Sequence, residues 1–187
     1  MLNEIITRLQ FLNPWLTNPD TWPDQAKQYL PPKYLPRFLP QNIFEPSFKR
    51  KIHLITGPRQ CGKSTLIWHY LTQQKTPPLF ILCEDRILQN WCQEPIPFLD
   101  SLQQILPEPR PLFFEEAQHL NDAGLFFKGL IDLGYAQPIW VTGSSSFHLL
   151  ARTRESLAGR ATRLRLLPFS LKETSFAHSH IPPALQE

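Results

Sequence analysis

A chain of 187 residues with 42% hydrophobic content can build one domain with an ordinary core and a small appendage. The formal net charge of +3 permits an anionic partner without requiring one. Cys61, Cys83 and Cys92 leave an odd thiol and no metal-ligand spacing, which fits reduced thiols in the cytoplasm rather than a disulfide framework. No apolar run reaches the roughly 18 residues of a membrane span, and the N-terminus lacks the basic start and apolar stretch of a signal peptide.

In chain order, Leu2, Ile5, Ile6, Leu9 and Leu12 recur at helical spacing, so residues 2–12 read as an amphipathic helix. The texture then changes. Eight of the twenty prolines lie between residues 13 and 48, interleaved with Trp15, Trp22, Tyr29, Tyr34, Phe38, Phe44 and Phe48. Proline at that density forbids long helices and central strands, while so many aromatic side chains argue against free disorder. Residues 1–48 are therefore expected to form a helix and a Pro/aromatic-rich arm packed on a core, with a short helix near residues 24–30. A peptide-docking Pro-rich segment is the alternative.

From Lys51 onward, strand and helix patterns alternate. Residues 51–56, 79–83, 111–114, 139–142 and 163–167 read as strands. Residues 64–71, 98–106 and 125–133 read as helices, the last with Gly134 placed to cap it. Short, fully apolar strands alternating with helices predict an α/β fold whose mostly parallel sheet is covered on both faces.

The first strand runs into Gly57-Pro58-Arg59-Gln60-Cys61-Gly62-Lys63-Ser64-Thr65, which fits G-x-x-x-x-G-K-[ST], the phosphate-binding loop. Its glycines let the backbone turn tightly so that several N–H groups point inward at a phosphate chain. Lys63 would reach the β- and γ-phosphates, the Ser64 hydroxyl would ligate Mg²⁺, and the following helix would place its positive end on the same anion. Cys61 inside the loop reads either as a redox switch or as a small residue at a variable position.

Phosphate binding alone hydrolyses nothing. Hydrolysis also needs Mg²⁺ held on the far side and a group that orients the attacking water. Leu112-Phe113-Phe114-Glu115-Glu116 ends a strand in two acids, where open α/β sheets bind ligands. Glu115 would then hold Mg²⁺ and Glu116 would polarise the water; two solvated glutamates are the bland alternative. Glu115 stands where Asp is usual, one methylene longer, at a metal strict about its geometry. At the end of the 139–142 strand, Thr142 or Ser144 is placed to sense a γ-phosphate, or simply to turn the chain into a helix. Glu84-Asp85-Arg86 reads either as a solvated loop or as a lining of the site, His53 as a packed core histidine, and His178 with His180 as a weak metal pair.

ITGPRQCGKSTL, FFEEAQHL, WVTGSSSFHLL and LAGRATRLRLLPFSLKE occur in that order. Together they resemble the AAA+-like bacterial and archaeal ATPases whose N-terminal ATPase domain precedes a C-terminal domain. The resemblance runs from about Lys51 to Glu173. It implies a three-layer P-loop NTPase sandwich over residues 49–175, with five strands, the loop strand in the middle and the acid strand one strand away. It implies ATP and Mg²⁺ as ligands, Glu116 as the catalytic glutamate, and coupling of the ATP cycle to conformational change. Arg160, the Arg of the GR pair, is either an arginine finger acting on its own or a neighbour's nucleotide, or a structural ion-pair partner.

The family element Pro168-Phe169-Ser170-Leu171-Lys172-Glu173 leads into a helical lid and a second domain, whereas this chain stops at Glu187. Residues 176–187 are accordingly expected to be a truncated tail, with nucleotide affinity weakened by the missing lid. A nucleotide-binding module with little turnover and a small-molecule kinase are the competing functions. Arg152, Arg154, Arg160, Arg163 and Arg165 could add nucleic-acid contact. Self-association or a partner protein is also open.

Overall fold

The computed structural model describes residues 2–39, 51–144 and 157–179. The first helix, α1 (Leu2–Leu12), buries Ile5 and Leu9 at the predicted spacing. Three short 3₁₀ turns follow, Pro14–Leu16, Pro19–Thr21 and Asp24–Tyr29, each with proline at or near its start. Then come β1 (Ile52–Gly57), α2 (Lys63–Leu71), β2 (Leu79–Leu82), α3 (Arg86–Trp91), α4 (Pro95–Ile105) and β3 (Leu112–Glu115). The chain continues with α5 (Ala123–Asp132), β4 (Ile139–Ser144), β5 (Ala161–Arg165) and α6 (Leu171–Ser179). Helix α5 ends at Gly134 with φ 89°.

The five strands form one parallel sheet in the order β2-β3-β4-β1-β5. The fold is thus α/β with helices on both faces. One detail differs from expectation: β4, not the loop strand, is central, and β1 lies second from the edge. The connection after β1 crosses to the far edge, and β3 and β4 then fill the interval, so only β5 extends the sheet on the other side of β1. The acid strand β3 does sit one strand from β1.

Alternation along the strands divides the core in two. Ile52 and Leu54 of β1, Leu79 and Ile81 of β2, Leu112 and Phe114 of β3, and Ile139 and Val141 of β4 face α1, α3, α4 and α5. Ile55, Phe80, Phe113 and Trp140 face the other way. That second face is covered by α2 and by the aromatic arm. Trp15 is fully buried, Tyr29 stacks on Trp68 at 4.5 Å, and Trp68 meets Phe80 and Phe113 edge-on at 5.1 and 5.3 Å. Tyr34 stacks on His69 at 3.6 Å. Trp15, Tyr29 and Tyr34 thus add aromatic cover to that face.

The arm also closes the sheet edge. The Asn13 carboxamide, fully buried, donates to the Phe80 carbonyl at 2.9 Å and accepts from the Phe80 N–H at 2.7 Å. The side chain thus satisfies edge strand β2 in the manner of a neighbouring strand, leaving that position closed to intermolecular pairing. Trp15 Nε1 donates to the Pro78 carbonyl at 2.8 Å, one register further back.

A second anchor joins the arm to α6. Arg37 Nε donates to Glu173 Oε1 at 2.9 Å, and both side chains are 6% exposed. Ser170-Leu171-Lys172-Glu173 is a capping box: Ser170 N–H donates to Glu173 Oε2 at 2.8 Å, and Glu173 N–H donates to the Ser170 hydroxyl at 3.3 Å. Burial disfavours the Glu173 charge. Hydrogen bonds from Ser170 N–H, Phe38 N–H, Arg37 and the Ser170 hydroxyl outweigh it and bring the carboxyl down to about 2. Elsewhere Asp85, expected in a solvated loop, is the N-cap of α3, accepting from the N–H groups of Ile87 and Leu88 at 2.9 and 3.2 Å. A three-residue polar run cannot reveal a six-residue helix behind it.

Two outcomes follow from these anchors. Asn13→Ala should lower the unfolding free energy by about 1–3 kcal/mol, read from urea denaturation, because it leaves a buried strand N–H and carbonyl unpaired. Since the Glu173 carboxyl is depressed from its ordinary value of 4.5, its stabilisation is complete above that pH and is lost as pH falls through about 2. The melting-temperature gap between the parent chain and Glu173→Gln should therefore be full near neutral pH and shrink across that acid window; a gap constant with pH would refute the assignment.

Candidate functional site

The carboxyl ends of β1, β3 and β4 emerge side by side, because the strands are parallel and in register. Strand β1 delivers the loop. Its last residue, Gly57, lies so near β5 that a Cβ there would sit 2.0 Å from the Leu166 carbonyl oxygen. Leu166 N–H donates to the Thr56 carbonyl at 2.7 Å and closes this corner. Pro58, Arg59 and Gln60 form the turn, with Arg59 and Gln60 exposed at its tip and Gln60 at φ 61°. Gly62 takes φ 89°, which glycine adopts without strain, and α2 begins at the next residue.

The side chains of the loop divide into inward and backward groups. Lys63 is 5% exposed and its ammonium donates to the carbonyls of Pro58 and Gly57, at 2.9 and 3.2 Å. The loop thus wraps a cation of its own. Cys61 packs behind it, 3% exposed, with Sγ donating to the Leu166 carbonyl at 3.3 Å. Ser64 and Thr65, half-buried, occupy the first turn of α2.

Glu115, the last residue of β3, accepts a hydrogen bond from the Ser64 hydroxyl across the intervening strand β4. The two residues assigned to metal binding are therefore in contact. Burial is the largest influence on the Glu115 carboxyl and raises it above the ordinary carboxylate range. The Ser64 hydrogen bond and the Lys63 charge oppose that rise, while Glu116 and Glu84 add to it.

Glu116 follows in the left-handed region, φ 55° and ψ 47°, unusual for a residue with a side chain. Two contacts hold it there, and a third fixes the Gln118 that makes one of them. Its N–H donates to the Thr142 hydroxyl at 3.1 Å, a Gln118 Nε2 donates to its Oε2, and Gln118 Oε1 accepts from the Ser144 N–H at 3.0 Å. Thr142 and Ser144 are thus tied to the acid pair from the neighbouring strand. Gln118 was legible only as lettering two residues after the acids; its bridging of β3 to β4 needs the fold. On the same edge His119 lies 3.2 Å from Glu84.

Arg160 lies elsewhere. It precedes β5, and its carbonyl accepts from the N–H of Ile52, the first residue of β1. The loop leaves the other end of that strand, five residues on and about 16 Å away. Arg160 Nε donates to Asp132 Oδ1 at 2.7 Å, with both side chains partly exposed. Arg163 and Arg165 are exposed on β5. Arg152, Arg154 and His180 lie outside the described residues, as does the His178 side chain. His53 is a core residue, stacked on Trp140 at 4.1 Å with a ring nitrogen 3.0 Å from the Thr162 hydroxyl.

Among the described residues no cluster of three or more His, Cys, Asp or Glu could hold a metal ion, and no helix is long and apolar enough to cross a membrane. An uncharacterized protein of the archaeon Methanocaldococcus jannaschii is 31% identical over 124 residues, a match spanning 66% of this chain and 28% of that relative. A family model described as an AAA domain matches residues 49–175, from just before β1 into α6. With the loop, the acid strand and the parallel sheet around them, that match makes this chain a member of the AAA-type ATPase family, whose domains bind nucleotide.

Proposed function

We propose that the chain binds ATP with Mg²⁺ and hydrolyses it, coupling the cycle to a conformational change. The observation that carries this reading is the hydrogen bond between Ser64 of the loop and Glu115 of the acid strand, with Lys63 folded into the loop beside them. A hydroxyl and a carboxylate are hard oxygen donors of the kind that take Mg²⁺ together with phosphate oxygens, and bound there the ion would neutralise phosphate charge. The Ser64 hydrogen bond to the longer Glu115 supports giving that carboxylate the place where Asp is usual.

The chain's own groups would then act in order. The N–H groups of residues 60–65 receive the phosphates, with Gly57 and Pro58 allowing the close turn. Lys63 exchanges its two loop carbonyls for β- and γ-phosphate oxygens. Glu116 orients a water for in-line attack and accepts its proton. Gln118 fixes the Glu116 carboxylate, and Thr142 and Ser144 connect that arrangement to the γ-phosphate position. Arg160, too far from its own loop, is assigned to a neighbouring copy's nucleotide. The family membership favours this hydrolase reading over a small-molecule kinase.

Lys63→Ala should abolish nucleotide binding in a calorimetric titration, while Glu116→Gln should keep binding and stop phosphate release. Binding of ATP by the parent chain without turnover would leave a nucleotide-sensing module instead. If Arg160 serves a neighbour, Lys63→Ala and Arg160→Ala should each be inactive alone and recover turnover when mixed. Full activity of Arg160→Ala would return that residue to its ion pair with Asp132.

A further inference from the structure

Arg37 belongs to the proline-rich arm, outside the matched residues 49–175, yet it reaches the back of the phosphate loop. Its Nη1 donates to the Cys61 carbonyl at 2.8 Å, its Nη2 to the Leu167 carbonyl at 2.6 Å, and its Nε to Glu173 at 2.9 Å. The guanidinium lies 4.2 Å over the Phe169 ring. Every nitrogen of the fork is engaged, each on a different piece of chain. Glu173 is as fully used, accepting from Phe38 N–H, Ser170 N–H and the Ser170 hydroxyl besides Arg37.

The Cys61 carbonyl is the consequential partner. In a trans peptide the carbonyl and the next residue's N–H point to opposite sides. Holding the Cys61 oxygen outward on Arg37 therefore holds the Gly62 N–H on the opposite side, away from the arm. Gly62 has φ 89° and no Cβ, so the intrinsic cost of rotating that peptide is low. A contact from outside the loop can therefore set its orientation, and Arg37 Nη1 lies 4.0 Å from where a Cβ at Gly62 would stand.

We propose that Arg37, clasped by Glu173, is a positioning residue that pre-orients the Cys61–Gly62 peptide for phosphate binding, so that the arm completes the loop. The phosphate role of the loop is taken from the function proposed above; the clasp itself is a statement about loop conformation. A planar fork serves three acceptors at once, which a lysine ammonium cannot do with the same geometry.

The test is hydrogen–deuterium exchange on the full chain without nucleotide, alongside Mg-ATP titration, for Arg37→Gln, Arg37→Lys and, for comparison, Asn13→Ala. A charge-assisted hydrogen bond of about 1.5–3 kcal/mol corresponds to roughly 10- to 100-fold, so exchange in residues 58–63 should quicken and ATP affinity should fall by about that factor in Arg37→Gln. Arg37→Lys should stay closer to Arg37→Gln than to the parent, and it supplies the measurement if the glutamine variant does not fold. Asn13→Ala should lower stability without selectively quickening the loop. Loop exchange unchanged in a folded Arg37 variant, or quickened evenly along the whole chain, overturns the proposal. Failure of the parent chain to take ATP would sink the nucleotide reading alone, since the exchange measurement still decides whether Arg37 holds the loop.

Discussion

Strand β4 lies between the loop strand and the acid strand, and the chemistry of the site depends on that one-strand interval. One intervening strand lets the Ser64 hydroxyl meet the Glu115 carboxylate and leaves β4 its own place at the same edge. Thr142 and Ser144 use that place to hold Glu116 and Gln118. Parallel pairing is what brings all three strand ends to one side, and the crossover from β1 to the far edge is what leaves room for β4.

The price of a wholly parallel sheet is two apolar faces to cover. One face is covered by α1, α3, α4 and α5. Among the described helices the other has α2, and indoles and phenols of the arm add to that layer. Aromatic side chains suit this task because each removes a large area from water at the expense of few rotatable bonds. Prolines among them keep the backbone from seeking a strand or helix of its own.

Local signals were well legible in the sequence, and long-range ones were not. The 3.6-residue period gave α1 and α5, the apolar runs gave all five strands, and the Gly-Lys-Ser lettering located the loop within a residue or two. The contacts that hold the site together are different in kind. Asn13 and Phe80 are 67 residues apart, Arg37 and Glu173 are 136 apart. Neither pair has a spacing that a period or motif could betray. The strand order was likewise out of reach of periodicity, which records which face a residue takes but not which neighbour a strand has. Arg160 illustrates the same limit, since its letters fit a finger while its place in the sheet removes it from its own loop.

The arm has a bearing on where this domain can be cut. The family match begins at residue 49, yet Trp68 and Phe80 find part of their cover in Trp15 and Tyr29. A piece trimmed to the matched boundaries would show water a sheet of indole and phenyl rings beside an uncapped edge strand, the two features most apt to drive strand-to-strand association. The matched segment and the body that keeps these rings covered are therefore different lengths of the same chain.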